Sequence, residues 1–427
     1  MKKYALLLWL MGLVIYLPAT LTFYPTTVLA EDFGATWCQS CPFANAGMDV
    51  LHGLYQPGDF ISARYYTQSA ELSNPEVETR FQYYAITELP HVYFNGVPNV
   101  EGATQETANG DQYDEIVNPL RFRASPVKMS VNSFNATTGA FSVRVTMLKP
   151  NYILNNAHIR FLLLENNLTT ITTHVTRSII SQPIAMAGGG SYQDFNVGFT
   201  LNAAWATVNL WAAAFIQLND ATILQSVSTL LQPNYQIRAA VPFTLAIADS
   251  ANINYLSEPL EFVNTGQEET FTFKLLKDSG PDDWYLNYCG EDGNCYPGFV
   301  PNPFTLAAGE DKAFHLNLII GTDGICHFHF EVTSPHIGTY VVPFTYTTFG
   351  MATDDHTVTS APLSLGAVYP NPTTGSATLK VLANQPTSAQ TILIFNARGQ
   401  LVKELRTSPL QQGENSLVWD RTDQSGR

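Results

Sequence analysis

Near the N-terminus an apolar run, Thr27 to Phe33, is followed within four residues by Trp37-Cys38-Gln39-Ser40-Cys41-Pro42, and then by Phe43, Gly47, Val50, Leu51 and Leu54 at helical spacing. No other feature constrains the fold as strongly, because it specifies a short buried strand that turns directly into a helix. Pro42 suits a first helical turn, where its missing N–H has no partner to lose. Cys38 is therefore expected to cap the helix, whose free N–H groups and positive dipole end favour a thiolate and lower its pKa to about 7 or below. Cys41, one turn in, is expected to be buried. Such a pair is asymmetric: an exposed nucleophile attacks a disulfide, and its neighbour resolves the mixed disulfide from within reach. A static disulfide and half of a zinc site are the competing readings. Zinc wants four ligands, and no second C-x-x-C or paired His stands at suitable spacing, so no metal site is expected.

The 427 residues predict about three folded units with short appendages. Apolar residues make up 45% and charged residues 13%, so several cores can be buried and disorder is excluded for most of the chain. With 21 Lys and Arg against 36 Asp and Glu, the net charge of −15 repels phosphate backbones and excludes nucleic acid as a partner. Lys2 and Lys3 precede an apolar run from Tyr4 to Tyr16, the layout of a secretory signal peptide, here residues 1–20. Cleavage after Ala19 is preferred to cleavage after Ala30, which would remove the strand before the cysteines. The run is too short to span a bilayer, so an exported protein is expected, secreted or at the cell surface. In that oxidising setting, four of the five cysteines fall into two local pairs, Cys38 with Cys41 and Cys289 with Cys295.

Beyond the four-residue motif, residues 21–125 resemble the thioredoxin family. Asp32 stands six positions before Cys38, where thioredoxins place a buried carboxylate that helps to deprotonate the second cysteine, and Trp37 precedes the motif as it does there. The segment Glu88-Leu89-Pro90-His91-Val92-Tyr93-Phe94-Asn95-Gly96 is similar to the family's strand that opens with a cis-proline. The resemblance implies that Asp32 shuttles a proton, that Pro90 shapes the peptide groove, and that Leu89 and Trp37 meet the substrate, with the Leu89 backbone offering an edge to an extended peptide. Glu31 competes with Asp32 for the inward position if the register differs by one. His91 reads as a solvated loop or strand residue. Strand Asp59 to Tyr66 and helices Asn74 to Ala85 and Gln112 to Arg123 complete the module. Gln39-Ser40 replaces the family's usual Gly-Pro, which leaves the redox direction open.

Residues 126–235 alternate in strands (Lys128–Val131, Ala140–Leu148, His158–Glu165, Tyr192–Thr200, Ala206–Gln217) and read as a β-sandwich. Leu163-Leu164-Glu165-Asn166 and Trp211 to Gln217 resemble strands of bacterial outer-membrane-associated surface proteins that carry a thioredoxin module. Residues 236–350 read as a second, Ig-like sandwich with strands Phe243–Ala246, Glu269–Leu275, Phe314–Ile320, Cys326–Thr333 and Thr339–Thr347. Cys289 and Cys295 flank a Gly-containing turn and are expected to form a structural disulfide. Cys326 is expected to be a buried thiol, and His327 and His329 to share a strand face without holding a metal. After a linker at 351–366, residues 367–427 read as a small β-sandwich. Tyr369-Pro370-Asn371-Pro372, the hairpin Asn396 to Gly399 and Trp419-Asp420 resemble the C-terminal sorting domain of type IX secretion substrates. That family adds a Gly-x-Tyr-Phe strand, so a chain stopping at Arg427 is expected to be one strand short, with an unpaired edge.

The fold class expected is therefore multidomain: an α/β thioredoxin-like domain, all-β sandwiches and a sorting domain. The function expected is thiol–disulfide oxidoreductase at the surface of a Gram-negative bacterium, needing no cofactor. Its partners would be protein or peptide disulfides and thiols, a redox partner and the type IX machinery. The alternative is a non-catalytic surface binding or adhesion protein on the same scaffold.

Overall fold

The computed structural model describes residues 21–168, 173–243, 246–247, 253–348, 363–369, 376–383, 390–395, 401–411, 413–420 and 422. The expected signal peptide, most of the linker, the Asn396–Gly399 hairpin and the last residues of the chain lie outside them. The chain divides into two compact units, residues 1–351 and 352–427. Strands dominate, arranged in several sheets.

In the first unit, β1 (Tyr24–Pro25) leads to β2 (Val28–Gly34), α1 (Cys41–Leu54), β3 (Phe60–Tyr66), α2 (Pro75–Tyr83), β4 (His91–Phe94), β5 (Asn99–Glu101), α3 (Asp111–Leu120) and β6 (Ala124–Ser125). β2 pairs parallel with β3 and antiparallel with β4, and β5 closes that edge. Residues of β2 and β3 are buried on both faces. Val28, Ala30 and Phe60 pack under α1 and α3, while Leu29, Phe33, Ile61, Ala63 and Tyr65 pack under α2. Helix α2 starts where expected: Asn74 is the N-cap, its Oδ1 accepting the Val77 N–H at 2.9 Å, and Pro75 opens the first turn. Gly47 lets α1 close on the 3₁₀ turn at Thr107–Asn109 before α3, because a Cβ there would lie 2.5 Å from the Thr107 carbonyl.

The next segment adds β7 (Val127–Asn135), β8 (Ala140–Met147), β9 (Ile153–Glu165), β10 (Val175–Ala187), β11 (Tyr192–Gly198), β12 (Leu210–Leu218) and β13 (Ile223–Ser228). Four of these extend the first sheet instead of forming a separate one, giving the eight-stranded order β13-β12-β9-β10-β3-β2-β4-β5. Among the described residues the join is one parallel pair, Val175 with Arg64, flanked by the Arg64 N–H donating to the His174 carbonyl at 2.8 Å. One face of the added half is covered by the three-stranded sheet β11-β8-β7. On the other face, Leu162, Leu164, Trp211, Ala213 and Phe215 share a core with Val77 and Phe81 of α2. Helix α2 thus covers a sheet that crosses residue 125, and Trp211 to Ile216 are buried throughout because both faces are covered.

Two of these strands escape sequence reading. β10 mixes polar and apolar residues without clean alternation and carries Pro183, which is tolerated because beyond its first residues β10 pairs with β9 alone among the described residues. β13 is short, with Gln225 and Ser226 buried in polar contacts. The expected strand from Ala206 begins only at Leu210, after a 3₁₀ turn at Thr207–Asn209, and the one from Tyr192 ends at Gly198.

The last part of the unit is a β-sandwich. One sheet contains β14 (Ile237–Ala240), β16 (Ile253–Leu256), β17 (Leu260–Asn264), β19 (Tyr285–Gly290), β20 (Cys295–Pro297) and β22 (Asp311–Ile320). The other contains β15 (Ala246–Ile247), β18 (Glu269–Ser279), β21 (Asn302–Leu306), β23 (Ile325–Ser334) and β24 (Gly338–Thr348). Phe262, Phe273, Phe314, Phe330 and Tyr288 meet edge to face between them. The expected Phe243–Ala246 strand falls partly outside the described residues. In the second unit, β25 (Leu363–Tyr369), β26 (Ala377–Ala383) and β29 (Gly413–Trp419) form one sheet, and β27 (Thr391–Phe395) pairs with β28 (Leu401–Arg406).

Candidate functional site

The β2 strand delivers its chain end to α1 through the C-x-x-C turn, and Cys38 and Cys41 are joined as a disulfide. The N-cap position is Ser40, not Cys38, and its side chain makes no capping bond. Cys38 nevertheless does the electrostatic work expected of a cap, because its Sγ accepts the Cys41 N–H at 3.1 Å, at the positive end of the helix. Cys41 is buried, at 4% exposure, while Cys38 is half-buried and Trp37 stands exposed beside it. Gly34 makes room for Cys41, since a Cβ there would meet its Sγ at 3.3 Å.

The Leu89–Pro90 bond is cis. Pro90 is buried and Leu89 half-buried, and the Leu89 carbonyl accepts the Ser40 hydroxyl at 3.4 Å. The loop before β4 therefore lies against the C-x-x-C turn. A groove of about 900 Å³ opens at this meeting point, lined by Trp37, Cys38, Ser40, Phe81, Ile86 and Leu89 among others. His91 is buried, not solvated: its Nε2 is 3.1 Å from Asn99 Oδ1 and its ring stacks on Tyr93.

Both carboxylates of β2 are buried, on opposite faces. Asp32 shares the α1 face with Gly34, two residues nearer Cys41, which sets it about 7 Å back along the strand. Burial pushes its pKa up to about 6 against the pull of Arg64, whose Nε is 3.4 Å away. Glu31, on the other face, is gripped bidentately by Arg80 (2.7 and 2.6 Å) and accepts hydrogen bonds from Tyr65 and Tyr84. Burial opposes its charge, but Arg80 and the two phenols outweigh burial and hold its pKa low. The Glu31 face is thus a closed network that continues through Arg80 to Gln217 of β12.

Arg64 is a site residue that sequence reading misses. It is 1% exposed, and its guanidinium also reaches Asp49 Oδ1 (2.9 Å), the Asn45 carbonyl (2.9 Å) and Thr173 Oγ1 (3.1 Å). Nothing local marks it, because its partners come from β2, α1 and the β9–β10 connection. The other chemistry-bearing residues stand apart from this centre. Cys289 and Cys295 form a disulfide across the β19–β20 hairpin. Cys326 is a buried free thiol, and burial raises its pKa. His327 bonds Thr345 and His329 pairs with Asp278, and no cluster of three metal-ligating side chains occurs among the described residues.

Residues 367–421 match the secretion system C-terminal sorting domain family. No curated protein matches the chain. Among solved structures, HBP35 of Porphyromonas gingivalis is 13% identical, with 75% of this chain and 98% of that one covered and a TM-score of 0.40. The N-terminal domain of PorA (14% identical; 27% and 98% covered) and dimeric latent PorU from Porphyromonas gingivalis (13%; 71% and 31%) each score 0.19. At scores this low, likeness says nothing of topology or activity. The sorting domain identifies an exported bacterial surface protein with β-sandwich domains, one that engages the type IX secretion machinery and is delivered to the cell surface or outer membrane of a Gram-negative bacterium.

Proposed function

We propose that residues 21–125 are a thioredoxin-like module and that the protein is a surface thiol–disulfide oxidoreductase acting on protein or peptide disulfides. The observation that carries this reading is the Cys38–Cys41 disulfide at the start of α1, with Cys38 Sγ accepting a helix N–H and facing an open groove beside the Leu89 carbonyl. In the reduced protein, Cys38 thiolate attacks a substrate disulfide, forming a mixed disulfide and releasing one substrate thiolate. Cys41 then loses its proton and attacks Cys38 Sγ, releasing the second substrate thiolate and restoring the disulfide. Asp32, buried on the same face of β2 as Gly34, which packs on Cys41, would serve as the base for the Cys41 proton. Trp37 and the Leu89 backbone flank the groove in which an extended substrate chain would lie. The redox partner that resets the cysteines completes the cycle.

The test is reduction of insulin by the purified mature chain with dithiothreitol. Cys38→Ser should abolish catalysis and Cys41→Ser should trap a mixed disulfide. Full turnover by Cys38→Ser would refute the assignment. In that case the surface binding or adhesion reading, favoured by the large share of the chain in β-sandwich, takes its place.

A further inference from the structure

Beside the disulfide lies a second cavity, of about 380 Å³, distinct from the substrate groove but sharing Cys38 with it. Cys38 and Cys41 both line this cavity, whereas only Cys38 of the two lines the groove, and Cys41 is 4% exposed in all. Leu72 and Glu71 form one wall, from the loop before α2, and Leu168 and Arg177 form the other, from the β9–β10 hairpin. The second wall comes from outside residues 21–125, so the cavity exists only because the sheet continues into the sandwich. Arg177 is 8% exposed and held rigid: Nε donates to Glu165 Oε2 and Nη1 to the Glu71 carbonyl, both at 2.7 Å. Its Nη2 donates to no acceptor among the described residues. The Glu71 side chain is exposed at the rim.

The geometry points to this cavity as the entry for the electron donor, a small amino-acid-type thiol. Its carboxylate meets Arg177, its ammonium meets Glu71 and its sulfur attacks Cys41. The inference rests on the oxidoreductase reading above and names the donor class for it. The cavity admits a molecule of a few residues at most, whereas the larger groove is open enough for a protein chain. Attack forms a bond between the donor sulfur and Cys41 Sγ and breaks the Cys38–Cys41 bond. The electron pair departs on Cys38, the better leaving group because the Cys41 N–H and the helix dipole stabilise its thiolate. A second donor thiolate then attacks the donor sulfur of the mixed disulfide, releasing the donor disulfide and leaving Cys41 as a thiolate that takes up a proton. Two donor thiols are oxidised to one disulfide, and the protein disulfide is reduced to two thiols.

The full oxidised chain tests this directly. Reduction of Cys38–Cys41 is followed by alkylation and peptide mass spectrometry, with cysteine, cysteamine and 3-mercaptopropionate compared at equal thiolate concentration. Cysteine should react about tenfold faster than either, the worth of one charge-assisted hydrogen bond. Leu168→Trp and Leu72→Trp fill the cavity from opposite walls, and each should bring the cysteine-to-cysteamine ratio to about one, a ratio that cancels any general slowing. A wild-type ratio near one, or a ratio unchanged in both folded variants, overturns the proposal. Because the readout is the protein's own disulfide, failure to act on insulin would refute the oxidoreductase function separately.

Discussion

Arg64 Nε lies 3.4 Å from the Asp32 carboxylate, with both side chains sealed from water, where β3 of the C-x-x-C module pairs with β10. The proton affinity of Asp32 is thereby tied to the residue that joins the two halves of the sheet.

The first prediction concerns Asp32. Its native pKa of about 6 exceeds its unfolded value, so between roughly pH 4 and 6 the native state binds the extra proton and this group's contribution to stability falls as pH rises. The shift is worth about 3 kcal/mol. Asp32→Asn should remove that slope, read as the difference between wild-type and variant urea midpoints across the window. Parallel profiles would contradict the assignment.

His52 and His174 act in the opposite sense. Ser62 Oγ lies between them, 2.8 Å from His52 Nε2 and 3.2 Å from His174 Nδ1, and the rings are 4.2 Å apart. Burial and the Arg64 charge lower both pKa values, that of His52 to about 3. Below the unfolded value of about 6.5 the unfolded chain binds protons that the native state refuses, so stability is lost as pH falls from there toward 3. His52→Gln should flatten the fall in melting temperature between pH 7 and 4.5.

Arg80 and Glu31 are 3% and 0% exposed. Arg80→Met leaves an uncompensated buried carboxylate and should cost about 3–5 kcal/mol in chemical denaturation. Adding Glu31→Leu should restore much of that loss. A double variant as weak as the single would show that the cost lies in packing and not in charge.

The Cys289–Cys295 bridge closes a ring of seven residues at a hairpin well separated in sequence from the Cys38–Cys41 disulfide. Replacing both with Ser should cost about 2 kcal/mol, the chain-entropy value for so short a loop, and leave insulin reduction intact. Loss of turnover in the folded variant would assign this pair a redox role.

Local chemistry makes much of the candidate site legible. A strand ending in C-x-x-C-P, an Asn-Pro helix start and a turn closed by two cysteines are each specified within a few residues, and each occurs. β10 was illegible because it lacks a clean alternation and carries Pro183, which suits an open edge, whose existence depends on how many neighbours the strand finds. His91 was misjudged for the same kind of reason: burial by Tyr93 and Asn99 is a tertiary fact.

By itself, the sequence determined that Cys38 and Cys41 would stand at a helix start, that the chain would be rich in strands, and that it would carry a sorting tail. These features rest on interactions between near neighbours and on composition. Tertiary structure alone decided that Glu31 and Asp32 would both be buried on opposite faces, that Arg64 would reach Asn45 and Asp49 of the C-x-x-C helix, and that Leu168 and Arg177 would wall a cavity lined by Cys41. Those outcomes depend on sheet pairing across more than a hundred residues, and hydrogen bonds of that range leave no periodic trace in the residues that make them.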